Sequence, residues 1–160
     1  MKKDISKVLL LILGINVLII VSALWIEYFL NIKPCVLCLY QRWIYYLATF
    51  LIIIFFLFRI KRKEIFIVLI ILSLINFGVS GYHFGIEQGF FEETSSCKIE
   101  NTGNIDKNQL LREMEKKNVV SCKDINFTIL GLSLASINLI ISLLLSLVYF
   151  KIYLWTKKIS

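Results

Sequence analysis

Two cysteines in a Cys-x-x-Cys spacing, Cys35 and Cys38, stand at the start of a long apolar segment. Pro34 precedes them, and proline is favoured in the first turn of a helix because its missing N–H is no loss there. We therefore expect the motif on the first turn of a helix, where unsatisfied N–H groups and the positive helix end favour a thiolate at Cys38. A dithiol at the edge of a membrane segment can pass electrons between a soluble thiol protein and a lipid-soluble acceptor.

Arg42 follows Cys38 by four residues, which places both side chains on one face of that helix. A guanidinium there can stabilise a thiolate or an anionic ligand oxygen. The alternative is that Arg42 only anchors the helix to lipid headgroups.

The single histidine, His83, falls near the end of a later apolar segment. It can donate a hydrogen bond to a quinone or manage protons, or it can simply lie at the interface beside Tyr82.

All four cysteines, including Cys97 and Cys122, fall outside the apolar segments. A free cysteine behaves as a small hydrophobe, so chance would have placed some of them inside. An even number in an oxidising compartment favours disulfides, and four cysteines allow three pairings. Cys35–Cys38 with Cys97–Cys122 is the most natural pairing because the first is local and the second closes one loop. We expect both disulfides in the resting oxidised protein.

Apolar residues make up 58% of the 160 residues, against about half in a soluble domain. The excess lies in four runs of about the length that spans a bilayer, at residues about 8–30, 39–58, 65–83 and 127–150. In lipid the main-chain N–H and C=O groups must be satisfied within the segment, so each run is predicted to be a helix. The expected fold class is an all-α membrane protein, a four-transmembrane-helix bundle forming one integral domain over residues 1–160.

A secretory signal is the alternative for the first run, since Val21-Ser22-Ala23 is weakly similar to a cleavage site. The apolar run continues past that point to Leu30, which favours an uncleaved helix.

Positive charge is concentrated at one set of segment ends. Ten of the eighteen Lys and Arg residues lie before the first run, between the second and third, or after the fourth. By the positive-inside rule both termini face the cytoplasm. The loops at about 31–38 and 84–126, which hold the cysteines, then face the opposite side. Nucleic-acid binding is the alternative for the basic clusters, but each adjoins a segment end, so no nucleic-acid partner is expected.

The second of these loops contains one further predicted element. Residues 106–109 resemble a capping box, and Leu110, Leu111 and Met114 then form a short apolar stripe. We predict a short amphipathic helix here, either on the membrane surface or in solvent.

The run from Lys33 to Arg42 (KPCVLCLYQR) matches the Pro-Cys-x-x-Cys-x-x-x-Arg signature of the DsbB family of bacterial disulfide-bond-formation proteins, which this chain closely resembles. The segments at 82–89 (YHFGIEQG), 96–97 (SC) and 131–133 (GLS) are also similar. The resemblance covers nearly the whole chain in the same order and spacing. It implies a protein of the bacterial inner membrane that reoxidises a periplasmic DsbA-type dithiol oxidase and passes the electrons to the membrane quinone pool, as ubiquinone or menaquinone.

The same resemblance implies a role for each matching residue. Cys97 would be attacked by the partner's thiolate, and Cys122 would relay electrons to the first pair. Cys35 would take the step between the loops, and Cys38 would be the thiolate next to the quinone ring. Arg42 would bind the quinone and support that thiolate, and His83 lies near where family members place a quinone-contacting histidine. No resident metal ion is expected.

Two other classes of protein fit some of these residues. Four cysteines with His83 could ligate zinc, although structural zinc usually uses two short-spaced pairs, and Cys97 and Cys122 are 25 positions apart. A purely structural membrane protein with two disulfides is the other class, but a Cys-x-x-Cys disulfide closes almost no loop and stabilises little. A vitamin K epoxide reductase-like protein shares the chemistry, but its Cys-x-x-Cys would be expected on a later helix.

Overall fold

The computed structural model describes residues 2–58, 62–93, 121–123, 128–129 and 131–159. These residues form four long helices and one short hairpin. The helices are α1 (Lys2–Phe29), α2 (Val36–Phe58), α3 (Arg62–Glu87) and α4 (Leu134–Ile159). The hairpin precedes α4 and pairs β1 (Thr128–Ile129) with β2 (Leu132–Ser133) in antiparallel register, Thr128 opposite Ser133 and Ile129 opposite Leu132.

Each of the four helices contains a segment long and apolar enough to cross a membrane: Ser6–Phe29, Val36–Phe58, Glu64–Glu87 and Leu134–Lys157. Many large apolar side chains on these helices point outward, among them Leu18, Leu57 and Phe58, each at least 70% exposed. Such a surface requires a hydrocarbon surrounding, since a monomeric soluble protein rarely exposes large contiguous apolar patches. The chain is therefore a multi-pass membrane protein, and the predicted all-α four-helix class is confirmed.

Several predicted segment boundaries differ from the structure: the second span begins at Val36 rather than at 39, and the fourth helix continues to Ile159 rather than ending at 150. Two further differences concern the site. The third span continues to Glu87 rather than ending at 83, so His83 lies within α3, one turn before its end. The fourth span begins at Leu134 rather than at 127, because the hairpin occupies the residues before it. Gly131 has φ +81° in this hairpin, a value that glycine adopts at little cost and other residues rarely adopt. Hydropathy alone does not reveal this turn, because Leu132, which follows Gly131, is itself apolar.

A Schellman motif ends α3. Gly89 has φ +77°, its N–H bonds to the Ile86 carbonyl at 3.0 Å, and the Phe90 N–H bonds to the Gly85 carbonyl at 2.8 Å. This is the 5→2 and 6→1 pattern that satisfies the last carbonyls of a helix. The chain then folds back so that the Phe91 ring packs where a side chain on Gly85 would otherwise lie. The last turns of α3, which carry His83 and Glu87, are thereby held in a fixed position.

The apolar core occupies one half of the bundle. It consists of side chains from the N-terminal parts of α1 and α3 and from later turns of α2 and α4, with Ile52, Phe66, Leu69 and Tyr149 at most 2% exposed. A polar network lies on its other side, where the Tyr45 hydroxyl donates to Asn138 Oδ1 (2.5 Å) and Asn138 Nδ2 donates to Ser80 Oγ (2.9 Å). These bonds tie α2, α3 and α4 together, as polar side chains commonly do between membrane helices. The half of the bundle beyond them contains the candidate site.

Candidate functional site

A cavity of about 260 Å³ opens between all four helices where α1 and α3 end and α2 and α4 begin. Most of its wall is apolar, with isoleucines from α1 and α4. Polar side chains from all four helices converge on it, among them Glu27 from α1, Arg42 from α2, His83 and Glu87 from α3, and Asn138 from α4. A mainly apolar cavity with a few convergent polar groups is the usual form of a small-molecule site. Cys35 and Cys38 both line it.

Cys35 is the N-cap of α2. Its carbonyl accepts the first helical hydrogen bond, from the Leu39 N–H at 3.2 Å. Its sulfur accepts the Cys38 N–H at 3.3 Å, the same N-cap to N3 geometry that Ser or Asp side chains adopt at helix starts. Pro34 lies before the cap rather than inside the first turn. The motif therefore straddles the helix start, and the positive end of α2 acts on the sulfur of Cys35.

The two thiols and the histidine form one cluster. Cys35 and Cys38 are free, with their sulfurs 2.9 Å apart, and His83 Nε2 lies 3.5 Å from the Cys35 sulfur. Cys35 and His83 are buried, at 6% and 3% exposure. The structure thus shows the dithiol state of the pair. A Cys35–Cys38 disulfide in the oxidised protein stays a prediction, and the short distance between the sulfurs is compatible with it.

The thiolate position differs from the sequence-based expectation. We expected the helix start and Arg42 to favour a thiolate at Cys38. In the structure, the Cys38 main-chain N–H donates to the Cys35 sulfur, and the sulfurs of the two thiols lie 2.9 Å apart. Hydrogen bonding by the Cys38 thiol, opposed by burial and aided by His83, holds the pKa of the Cys35 thiol well below its usual range. In the dithiol state the stabilised sulfur is therefore that of Cys35, because Cys35 and not Cys38 caps the helix.

This lowered pKa predicts the order of reactivity of the two thiols. An ordinary thiol has a pKa near 8.5, so its alkylation slows about tenfold per unit as the pH falls below that value. Cys35 stays ionised above its lowered pKa, so its labelling by iodoacetamide should persist at pH 6–7, where Cys38 labels slowly. Fragmentation of the peptide that carries both residues measures the two rates. His83→Gln should move the midpoint of the pH dependence of Cys35 labelling to higher pH. Equal labelling rates at Cys35 and Cys38 would contradict the assignment of the thiolate to Cys35.

Glu87 is a site residue that the sequence reasoning did not single out. One of its oxygens lies 3.7 Å from His83 Nε2, and the other accepts a hydrogen bond from Ser133 Oγ at 2.5 Å. The Glu87 side chain is only 6% exposed and the His83 side chain 4%. The i,i+4 spacing of His83 and Glu87 was the available signal, since it places both on one helical face. The hydrogen bond from Ser133, in the hairpin, holds the Glu87 carboxylate in place. The spacing of residues in the sequence could not predict this contact, because the two residues lie in separate segments.

Arg42 lies in the cavity wall, and its guanidinium is ion-paired with the Glu27 carboxylate of α1. The two side chains are 13% and 26% exposed. This ion pair joins the last turn of α1 to the second turn of α2. Among the contacts described, none joins Arg42 to the Cys38 sulfur. Both residues line the same cavity, so a ligand there can contact both.

Cys122 is the third cysteine that the structure describes. It is disulfide-bonded and 1% exposed, and it belongs to a buried cluster with Cys35 and Ile86. Cys97 and the predicted amphipathic helix at 106–117 lie outside the described residues, so the Cys97–Cys122 pairing stays a prediction. The structure therefore brings Cys35, Cys38, Arg42 and His83 around one cavity and places Cys122 in the same buried cluster as Cys35.

Comparisons with known proteins show which proteins this chain is similar to. A family model described as "Disulfide bond formation protein DsbB" matches residues 6–152, a range that includes the whole cavity wall. An uncharacterized protein of Rickettsia prowazekii (strain Madrid E) is 26% identical over 147 residues, which cover 90% of this chain and 86% of that protein.

Proposed function

Because the chain belongs to the DsbB family of disulfide bond formation proteins, we propose that it is a quinone-dependent disulfide oxidoreductase that reoxidises a periplasmic DsbA-type dithiol oxidase. The observation that carries the proposal is the position of the Cys35–Cys38 dithiol. It lies between a buried disulfide cysteine, Cys122, and a mainly apolar cavity that opens between membrane helices. One side of the dithiol can receive electrons from a disulfide, and the other can give them to a lipid-soluble acceptor.

Electrons enter by thiol–disulfide exchange. The partner's thiolate attacks Cys97 of a Cys97–Cys122 disulfide and releases the Cys122 thiolate. Resolution of the mixed disulfide by the partner's second thiol leaves Cys97 and Cys122 reduced. Cys122 then attacks Cys35 of an oxidised Cys35–Cys38 pair, with Cys38 as the leaving thiolate, and Cys97 closes the loop disulfide again. Each step exchanges one disulfide for another, so two electrons move inward without loss. The presence of Cys122 and Cys35 in one buried cluster supports this order.

The dithiol is then oxidised at the cavity. The Cys35 and Cys38 thiols release two electrons and two protons when they form a disulfide, which is the amount that a quinone would accept if bound there. Cys35 is held as a nucleophile by the Cys38 N–H and His83, so it is ready to close the bond to Cys38. His83 Nε2 lies near both the Cys35 sulfur and the Glu87 carboxylate, so it is placed to stabilise the Cys35 thiolate and to hold a proton close to it.

The cavity fits a quinone ring by its size and chemistry. Its volume, about 260 Å³, lies just below the range of pockets for drug-sized ligands, and its wall is mainly apolar. A quinone presents two carbonyl oxygens that need donors. Arg42 supplies N–H groups at the wall, and Gln41 Nε2 is buried there with no hydrogen-bond partner among the described residues. A buried donor without a partner is costly, so a ligand carbonyl at this point would remove a penalty.

A strongly oxidising partner makes a quinone the appropriate acceptor. A DsbA-type oxidase has a potential of about −120 mV, so its reoxidation needs an acceptor that is more oxidising still. The orientation we propose follows the basic clusters, with both termini in the cytoplasm and the cysteines on the periplasmic side of the bacterial inner membrane. Such an orientation presents the disulfide to a periplasmic partner, and the cavity lies between the membrane-spanning helices.

Oriented membrane vesicles test the activity and the orientation together. Reduced DsbA-type protein added outside right-side-out vesicles should be oxidised while added quinone is consumed, as measured by quinone absorbance. Inside-out vesicles should not oxidise the added protein, because the cysteines would face the lumen. Vesicles that carry Cys35→Ser provide the matched control. Consumption of partner thiols without quinone reduction would contradict the proposed acceptor, and activity only in inside-out vesicles would contradict the orientation.

A further inference from the structure

The Cys35, Cys38 and His83 side chains form a set of soft ligand atoms in the dithiol state. The two sulfurs and a ring nitrogen of His83 all lie within 4.8 Å of one another. The Cys35 sulfur is 3.5 Å from Nε2 and 2.9 Å from the Cys38 sulfur. These residues come from the start of α2 and the last turns of α3, so the cluster exists only in the folded bundle.

From these distances we infer that the reduced protein binds one Zn²⁺ ion through the thiolates of Cys35 and Cys38 and the imidazole of His83. Zinc–sulfur bonds of about 2.3 Å and zinc–nitrogen bonds of about 2.0–2.1 Å separate tetrahedral S and N ligands by about 3.6 Å. The Cys35–His83 distance already has this value. The two sulfurs must separate by a little under 1 Å, which a rotation of the Cys38 side chain can provide. The fourth position faces the cavity, as in zinc sites that retain an open ligand position.

The surroundings of the cluster favour a cation. The Glu87 carboxylate lies 3.7 Å from His83 Nε2 and is almost fully buried, so it adds negative charge beside the proposed ion. Two cationic side chains, Lys33 and Arg42, also line the cavity, and the charge of Arg42 is paired with Glu27. Three ligands and a buried carboxylate are a denser set of donors than a surface dithiol offers.

The proposed site depends on the redox state of the pair. Metal binding releases the thiol protons, and a disulfide has no thiolate to offer. The dithiol therefore binds Zn²⁺ and the disulfide does not. A zinc-bound dithiol cannot close to a disulfide until the ion leaves, so Zn²⁺ should block oxidation of the pair; this consequence, unlike the binding itself, rests on the proposed function. The site is an inhibitory one and differs from a structural zinc centre built on all four cysteines.

Metal titration of the purified full chain tests the inference. The Cys97→Ser/Cys122→Ser background removes the loop thiols, so that Cys35 and Cys38 are the only cysteines. With Co²⁺ as the probe, the reduced protein should bind one equivalent with the visible absorption of a tetrahedral site and the ultraviolet band of thiolate–metal charge transfer. Added Zn²⁺ should displace it. The same protein after oxidation should bind none, a comparison that requires no variant in the site.

Variants identify the ligands. In competition with a chromophoric chelator, His83→Gln should weaken Zn²⁺ binding about tenfold or more, and Glu87→Gln should weaken it less. Glu64→Gln, at the exposed opposite end of α3, is the matched control and should bind as the parent does. Equal binding by oxidised and reduced protein, or no effect of His83→Gln, would overturn the site. No quinone or partner is present in these titrations. If the reduced protein binds Zn²⁺ but the parent protein does not reduce quinone, only the proposed function is rejected. If the parent protein reduces quinone but the reduced protein binds no Zn²⁺, only the metal site is rejected.

Discussion

Cys38→Ser should stop quinone reduction and convert the protein to a form with a disulfide between Cys35 and Cys122. Cys35 then lacks its local partner, yet its sulfur is stabilised as a thiolate and lies in the same buried cluster as Cys122. Attack by Cys35 on Cys122 exchanges one disulfide for another and releases the thiol of the former Cys122 partner. Mass spectrometry of peptides digested without reduction should find the Cys35–Cys122 link as the main species, and quinone consumption should fall to background.

The controls for this prediction use the neighbouring cysteines. Cys35→Ser should be equally inactive but should show no link between Cys38 and Cys122, because in the structure it is the Cys35 sulfur that caps the helix beside the Cys122 cluster. Cys122→Ser should instead form a mixed disulfide between Cys97 and the soluble partner when the oxidised form of that partner is added, because the Cys97 thiolate attacks the partner's disulfide and no second loop thiol displaces the partner. If folded Cys38→Ser protein contains no Cys35–Cys122 disulfide, the two cysteines are not successive members of one relay, and the proposed electron path is wrong.

Arg42→Gln should raise the apparent KM for quinone about tenfold to a hundredfold. The loss of a hydrogen bond to a charged group costs about 1.5–3 kcal/mol, and each 1.4 kcal/mol is a factor of ten in binding. Arg42→Lys should be intermediate, because lysine keeps the charge but loses the planar fork of donors. The measurement is quinone consumption at saturating reduced partner. The rate of mixed-disulfide formation with the partner should stay near that of the parent protein, since the loop cysteines are unchanged.

Glu27 makes this prediction specific to the structure. The Glu27 carboxylate is the described partner of the Arg42 guanidinium, so Glu27→Gln should change quinone KM less than Arg42→Gln does, because the amide still accepts a hydrogen bond. The double variant should resemble Arg42→Gln alone, since residues that share one interaction are not additive. An unchanged quinone KM in Arg42→Gln would mean that Arg42 serves only as an anchor and that other groups, such as His83, hold the quinone.

The sequence by itself determined the class of the fold and placed three of the candidate residues near one another. Four apolar runs of bilayer length can only be helices in lipid, so hydropathy was sufficient for the four spans. The Pro-Cys-x-x-Cys-x-x-x-Arg run placed Cys35, Cys38 and Arg42 near one helix start, and the structure brings all three to the cavity. These inferences succeeded because they depend on local spacing and on the solvent that surrounds the chain, both of which the sequence carries.

The tertiary structure decided which atoms meet. The cap position made Cys35, rather than Cys38, the sulfur stabilised by the helix start, and a one-residue difference in where a helix begins is beyond what periodicity resolves. The pairing of Glu27 with Arg42 depends on how α1 packs against α2, and the bond between Glu87 and Ser133 joins residues 46 positions apart. Contacts between helices depend on their relative rotation and depth in the bundle, and a single sequence does not specify these until the side chains are packed.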